Sequence, residues 1–283
     1  MKKIFVLAFS VITLAAFSQS PTGKIVVKPG QHFKVESISD GTIAVEMMAQ
    51  SMEIKVGNTT KITADIKDAA NNNYTITQTL TNIKSSFSGM GQEKTFDSEK
   101  KEDMDGEAGM MFKDKINVPK DVVISNQGKI IASAADTSKS GDKQDGSSMD
   151  AIMDMMGGGK DVVSTSMFLV IPAGKKAGDT WQDSTSEEGV KVKRTFTLNS
   201  IAKKEASVTI DGVIDINKTM QVQGMDMNTV MTSKIKSEVL VDLISNIQKE
   251  NKSTTDLTGT IDIMGQSAPI TSKATSLTTV RAL

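Results

Sequence analysis

The stretch from Met225 to Leu243 constrains this chain more than any other, because Met225, Met227, Met231, Ile235, Val239, Val241 and Leu243 all share one parity. The opposite parity carries Asp226, Asn228, Lys234, Lys236, Glu238 and Asp242, with Val230, Leu240 and, just beyond, Ile244 as apolar exceptions. A period of two belongs to a strand and not to a helix. At about 3.3 Å per residue the stretch extends roughly 60 Å, several times the usual strand of about five or six residues. A strand so long has to curl or be bent by bulges.

The rest of the chain follows the same pattern. Thr60, Ile62, Ala64 and Ile66 alternate with Thr59, Lys61, Thr63, Asp65 and Lys67, and after a polar turn over 68–73 the segment Tyr74 to Lys84 places Tyr74, Ile76 and Leu80 on one side. Ala206 to Ile216 alternates again. Beyond a turn near Ser245-Asn246, Leu257, Ile261 and Ile263 are in phase, and Ala268 to Arg281 supplies a last strand. Pro119 to Ala132 reads as a hairpin around Asn126-Gln127-Gly128. Between these, 92–115 is charged and irregular, and 135–148 has the Ser, Asp, Gly and Lys composition of a mobile loop. A short helix is predicted from Met149 to Met156, capped by Ser147 or Ser148 and ended by Gly157-Gly158-Gly159. An apolar strand is predicted from Val162 to Pro172. The fold class expected is all-β and mainly antiparallel, with long curved strands in a barrel or half-barrel and one short helix.

A signature occurs twice: Lys28-Pro-Gly-Gln-His-Phe33 and Lys176-Ala-Gly-Asp-Thr-Trp181 both read Lys-x-Gly-x-x-aromatic. Each precedes alternating segments, so two related halves are expected, over 19–134 and 161–283, joined by the loop and helix at 135–160. Within the signatures Gly30 and Gly178 permit tight turns, and Phe33 and Trp181 are expected to pack structurally.

Lys2 and Lys3, the apolar run from Ile4 to Phe17 and the small residues before Gln19 read as a signal peptide over 1–18. The run is too short to span a membrane, and no later segment approaches the length a transmembrane helix needs. Export to the periplasm, the outer envelope or the medium is therefore expected. After cleavage 31 basic residues stand against 34 acidic ones without strong charge blocks, which makes nucleic acid an unsuitable partner. Cysteine is absent, so the fold uses neither disulfides nor thiolate metal sites. The chain has 18 methionines but one tryptophan, one tyrosine and nine phenylalanines, a composition that fills irregular spaces with flexible side chains.

No catalytic motif is present. His32 is the sole histidine and has neither a cysteine nor a Gly-x-Ser-x-Gly elbow to work with, so no catalytic residue, cofactor or metal site is assigned and an enzyme is not expected. The acidic run Glu102 to Glu107 fails as an EF-hand because Lys101 and Phe112 fall at ligand positions. Glu187 and Glu188 are adjacent and point to opposite faces of a strand, which is unsuitable for a glycosidase pair. Methionines at 220, 225, 227 and 231, or at 149, 153, 155 and 156, offer thioethers to Cu(I), although their phase also fits a core-facing stripe.

The Ala-Phe-Ser-Gln signal end, the run from Pro172 to Gly-Asp-Thr-Trp181 and the Gly128-Lys-Ile-Ile hairpin resemble exported β-rich proteins of unknown function common in Bacteroidota. That resemblance implies no catalytic residues. In architecture the chain is also similar to half-barrel carriers of lipids and lipoproteins in bacterial envelopes. The function expected is binding of a lipid or other apolar molecule on a curved sheet lined by Met225, Met227, Met231 and Ile235. The alternatives are an interaction or structural module for another envelope protein, working through strand edges and loops, and Cu(I) binding.

Overall fold

A computed structural model describes residues 20–47, 50–89, 91–133, 166–187, 189–222, 225–263 and 266–283. The signal sequence read over 1–18 and the loop and short helix read over 135–160 lie outside the described residues. The long alternating segments are strands: β1 His32–Met47, β2 Gln50–Ala70, β3 Asn73–Gly89, β4 Gln92–Asp97, β5 Pro119–Ser125, β6 Ile130–Ser133, β7 Thr180–Glu187, β8 Val190–Ala202, β9 Glu205–Val222, β10 Met225–Asp242, β11 Gln248–Ile263 and β12 Gln266–Ala282. They form one antiparallel sheet in the order β6-β5-β3-β2-β1-β12-β11-β10-β9-β8-β7, with β4 also paired to β3. The end strands β6 and β7 do not pair with each other. The sheet is therefore open and half-barrel-like.

The centre of the sheet joins the two ends of the chain, since β1 pairs with β12 from Phe33↔Ala282 to Val45↔Ile270. On one side of that seam stand strands from residues up to 133, and on the other those from residue 180 onward.

The two signature segments are built alike. In the first, Gln31 N–H donates to Lys28 C=O at 3.2 Å across a turn whose third residue, Gly30, has φ of +83°. In the second, Asp179 N–H donates to Lys176 C=O at 3.0 Å with Gly178 at φ of +92°. A positive φ at this position is what makes glycine necessary. The side chain of the fourth residue accepts from the lysine N–H in both, at 2.7 Å for Gln31 Oε1 and 2.8 Å for Asp179 Oδ2. Gly30 N–H donates to Ile66 C=O and Gly178 N–H to Leu198 C=O, and each of those partner residues sits beside a β-bulge. The aromatic that follows each turn faces the core: Phe33 is 4% exposed, and Trp181 stacks on Phe196 at 5.1 Å.

One end of the sheet, here the base, is closed by two chain segments. Ile25 and Val27 from one, and Met167 and Phe168 from the other, pack with Phe33, Val35, Ala64, Ile66, Ile76 and Val280. Ile171 packs with Phe196, Leu198, Val208, Val239 and Val241 beside them. The expected apolar strand over Val162–Pro172 is corrected in its described part. Residues 166–172 form a short helical turn, one bridge from Phe168 to Ile247 and an extended cover across the strands. An apolar run cannot reveal by itself whether it enters a sheet or lies over one. Register shifts on β2, β5, β8 and β10 fall in the part of the sheet nearer this base, where bulges bend the strands around the cover.

Asn246 ties the two covering segments to the sheet. Fully buried, its Oδ1 accepts from Ile171 N–H at 3.0 Å, while Nδ2 donates to Thr22 Oγ1 at 2.8 Å and to Lys24 C=O at 2.7 Å. Its carbonyl accepts from Leu169 N–H at 2.9 Å. In the same turn Asp242 Oδ1 accepts from Ile244 N–H, Ser245 N–H and Ser245 Oγ at 2.9–3.1 Å. Burial works to raise the Asp242 pKa, but these donors outweigh it and hold the carboxyl below its usual range. A depressed folded pKa stabilises the fold above the unfolded value of about 3.9, and that stability is lost as pH falls through the folded value. Asp242→Asn is therefore expected to remove part of the acid sensitivity below about pH 4, checked by urea unfolding at stepped pH.

The 92–115 region is a second correction. It holds β4 and two short helices, α1 Lys101–Asp105 and α2 Glu107–Phe112, where an irregular loop was expected. Phe112 stacks on Phe96 at 5.1 Å, and both pack with Ile83, Met104 and Ile116. Apolar residues spaced along a charged sequence make these helices possible, but only contact with β3 and β4 stabilises segments so short.

Candidate apolar site on the inner face

The odd-numbered side of β10 and its cross-strand partners make the more buried, inner face of the sheet. Going away from the base, this face changes character twice. Above the core comes a band of small polar groups, in which Ser37 and Thr278 hydroxyls meet at 2.6 Å and Ser237 and Ser253 do the same. Beyond it lies a separate apolar cluster of Met231, Ile261 and Ile270, with Ile43, Val45, Ile216, Met227 and Leu257 packed against it.

The structure brings Met227 and Met231 into this cluster. Met231 is 2% exposed because it lies over Gly259, its partner on β11: a Cβ on Gly259 would sit 2.7 Å from Met231 Cα. Ile235 stands two inner-face positions nearer the base, between Ser233 and Ser237 and opposite Gly212 and Thr255 within the polar band, and is not part of the cluster. Met225 opens β10, and its side chain lies outside the described residues. Sequence reasoning missed Ile43, Val45, Ile216, Leu257, Ile261 and Ile270 as members of the site. Their alternation was visible, but only the register across β9, β10, β11, β12 and β1 places them side by side. Thr229, opposite Ile261, is 1% exposed, and its hydroxyl has no hydrogen-bond partner among the described residues.

The other candidates fall elsewhere. His32 Nδ1 meets Asp65 Oδ1 at 2.7 Å in an exposed pair at the base. Asp103, from the acidic run, accepts from Asp97 N–H at 2.7 Å and so closes the turn into α1. Among the described residues no three His, Asp or Glu side chains converge as a metal-binding set. No described helix is long and apolar enough to cross a membrane.

A model of a family of unknown function, DUF6263, matches residues 71–247. The chain belongs to that family. The match runs from the turn between β2 and β3 to the turn between β10 and β11, and so includes the second signature, Asn246 and the β10 methionines. Among curated proteins no sequence matches this DUF6263 chain. Among solved structures it is similar to lipovitellin, with 11% identity and a TM-score of 0.54, over 90% of this chain and 25% of lipovitellin. The chain thus spans about a quarter of that protein's length, and the likeness is one of fold. An outer-membrane channel from Pseudomonas putida F1 aligns over 93% of this chain and 99% of its own with 8% identity and a TM-score of 0.32.

Proposed function

We propose that this DUF6263 protein is an exported, non-enzymatic component of the cell envelope that holds a lipid acyl chain, or an apolar molecule of similar breadth, against the far end of the inner face. One observation carries the reading. The two base clusters include loop residues such as Ile25, Met167 and Ile171, whereas among the described residues the far cluster is built from strand residues alone. Met231, Ile261 and Ile270 are buried, but Ile43, Val45, Ile216, Met227 and Leu257 around them are only partly so. Covering that apolar rim with an apolar ligand removes it from water, and methionines adapt to ligands of varied shape. The likeness to lipovitellin, a structure described through its lipid–protein interactions, supports the reading at the level of fold.

Native mass spectrometry of the protein purified gently from its host's envelope is expected to show an added mass of a lipid that organic solvent removes. Met227→Asp and Leu257→Asp, at half-buried positions, are expected to weaken retention of a fluorescent fatty acid about tenfold with the far-ultraviolet circular dichroism unchanged. A bare mass together with no uptake of the fatty acid would sink the reading.

A second reading has its own observation. Among the described residues β6 and β7 end the sheet with one edge each unpaired, and Ile131 on β6 is 54% exposed. An extended segment of another envelope protein can add to such an edge. Cross-linking from β6 that yields a discrete partner would favour it.

A further inference from the structure

The outer face carries a groove that the apolar reading does not use. Two open cavities of about 780 Å³ and 370 Å³ share Thr254 and Asp256, and together they form one trough running across the strands from β8 to β4. Its walls are two rows of outward side chains in exact cross-strand register. One row runs through Lys193, Val213, Lys234, Asp256, Lys273, Thr42 and Lys55, and the other through Thr195, Asp211, Lys236, Thr254, Thr275 and Asp40.

From β8 to β2 charge along the trough alternates strand by strand, while β3 adds no charged group and β4 adds Glu93 and Lys94. Lysines stand on β8, β10, β12 and β2, and aspartates on the strands between them, β9, β11 and β1. All of these lysines and aspartates are exposed. Of these only Lys55 has an ion-pair partner within 4 Å among the described residues, Glu53 of its own strand at 3.5 Å. Stabilising the sheet by cross-strand pairing would bring these groups together, and they stay apart.

Strands lie about 4.8 Å from one another, so lysines on every second strand repeat at about 9.6 Å. A polyproline II helix rises about 3.1 Å per residue with three residues per turn, so every third side chain faces the same way at a spacing of about 9.3 Å. An extended β peptide repeats its facing side chains at about 6.6 Å and would fall out of step. Polyproline II also leaves its backbone polar groups unpaired, so its carbonyls can accept from the Thr and Ser hydroxyls and its non-proline N–H groups can donate to the aspartates that alternate with the lysines. No tryptophan or tyrosine lines the trough, as sugar stacking would favour.

We propose that this trough binds an extended, polyproline II segment of a partner protein that carries an acidic residue at every third position. The site is separate from the inner face and does not rest on the apolar reading. The test uses the full chain purified from its host and two peptides of equal length and charge, read by fluorescence anisotropy at low salt. One is five repeats of Pro-Pro-Glu, and the other has the same five glutamates at every second position. The first is expected to bind at least about tenfold more tightly, and Lys234→Glu with Lys273→Glu is expected to weaken it about tenfold. Retention of the fluorescent fatty acid should not change in that double variant. Equal binding of the two peptides, indifference to the two substitutions, or no binding at low salt would each overturn the proposal.

Discussion

Asn246→Ala is expected to lower the unfolding free energy by about 3 kcal/mol, seen as a fall in the urea midpoint with little change in slope. Two terms add. The substitution strips a buried acceptor from Ile171 N–H and donors from Thr22 Oγ1 and Lys24 C=O, and an orphaned buried backbone group costs about 1–3 kcal/mol. Asn246 also has φ of +58°, which asparagine tolerates and alanine resists by about 1–2 kcal/mol. Asn246→Gly separates the terms, because glycine accepts the backbone conformation while losing the same bonds. It should recover about 1 kcal/mol of the loss. If alanine and glycine variants are equally stable, strain contributes nothing. If both match the unaltered protein, the side chain is not the tie between the covering segments.

Gly259→Val is expected to cost about 3 kcal/mol and to abolish fatty-acid retention at the far cluster. A Cβ at this position would meet Val230 C=O and would lie 2.7 Å from Met231 Cα and 2.8 Å from Met231 Cγ. Two of those neighbours are backbone and cannot rotate away. The β10–β11 ladder would have to open where Met231 packs, and with it the cluster that Met231 shares with Ile261 and Ile270. Thermal unfolding and the fatty-acid assay should therefore fall together. A stable variant that still retains the fatty acid would show that the ligand lies elsewhere.

These two positions differ in how much the chain announces them. The turn at Ser245-Asn246 was legible from composition, but the partners of Asn246 lie at Thr22, Lys24 and Ile171, more than 70 residues away. Gly259 sits in an alternating segment with no mark of its own, and its importance appears only when Met231 is placed opposite it. The helices α1 and α2 were missed for a related reason. Their sequence is charged and short, and the contacts that hold Phe112 come from Phe96 and Ile83.

The alternation of 18-residue β10 and its neighbours, by itself, determined that the chain is a sheet of long antiparallel strands with one apolar face, because side chains on a strand alternate whatever the strand pairs with. The repeated Lys-x-Gly-x-x-aromatic segment likewise determined two like turns, since only a positive φ at the glycine closes them. Pairing order was beyond its reach. The seam between β1 and β12, the base covers over one end of the inner face and the transverse trough on the other side all depend on register between residues far apart in the chain. Local chemistry sets which side of a strand is apolar, and tertiary contact decides what that side meets.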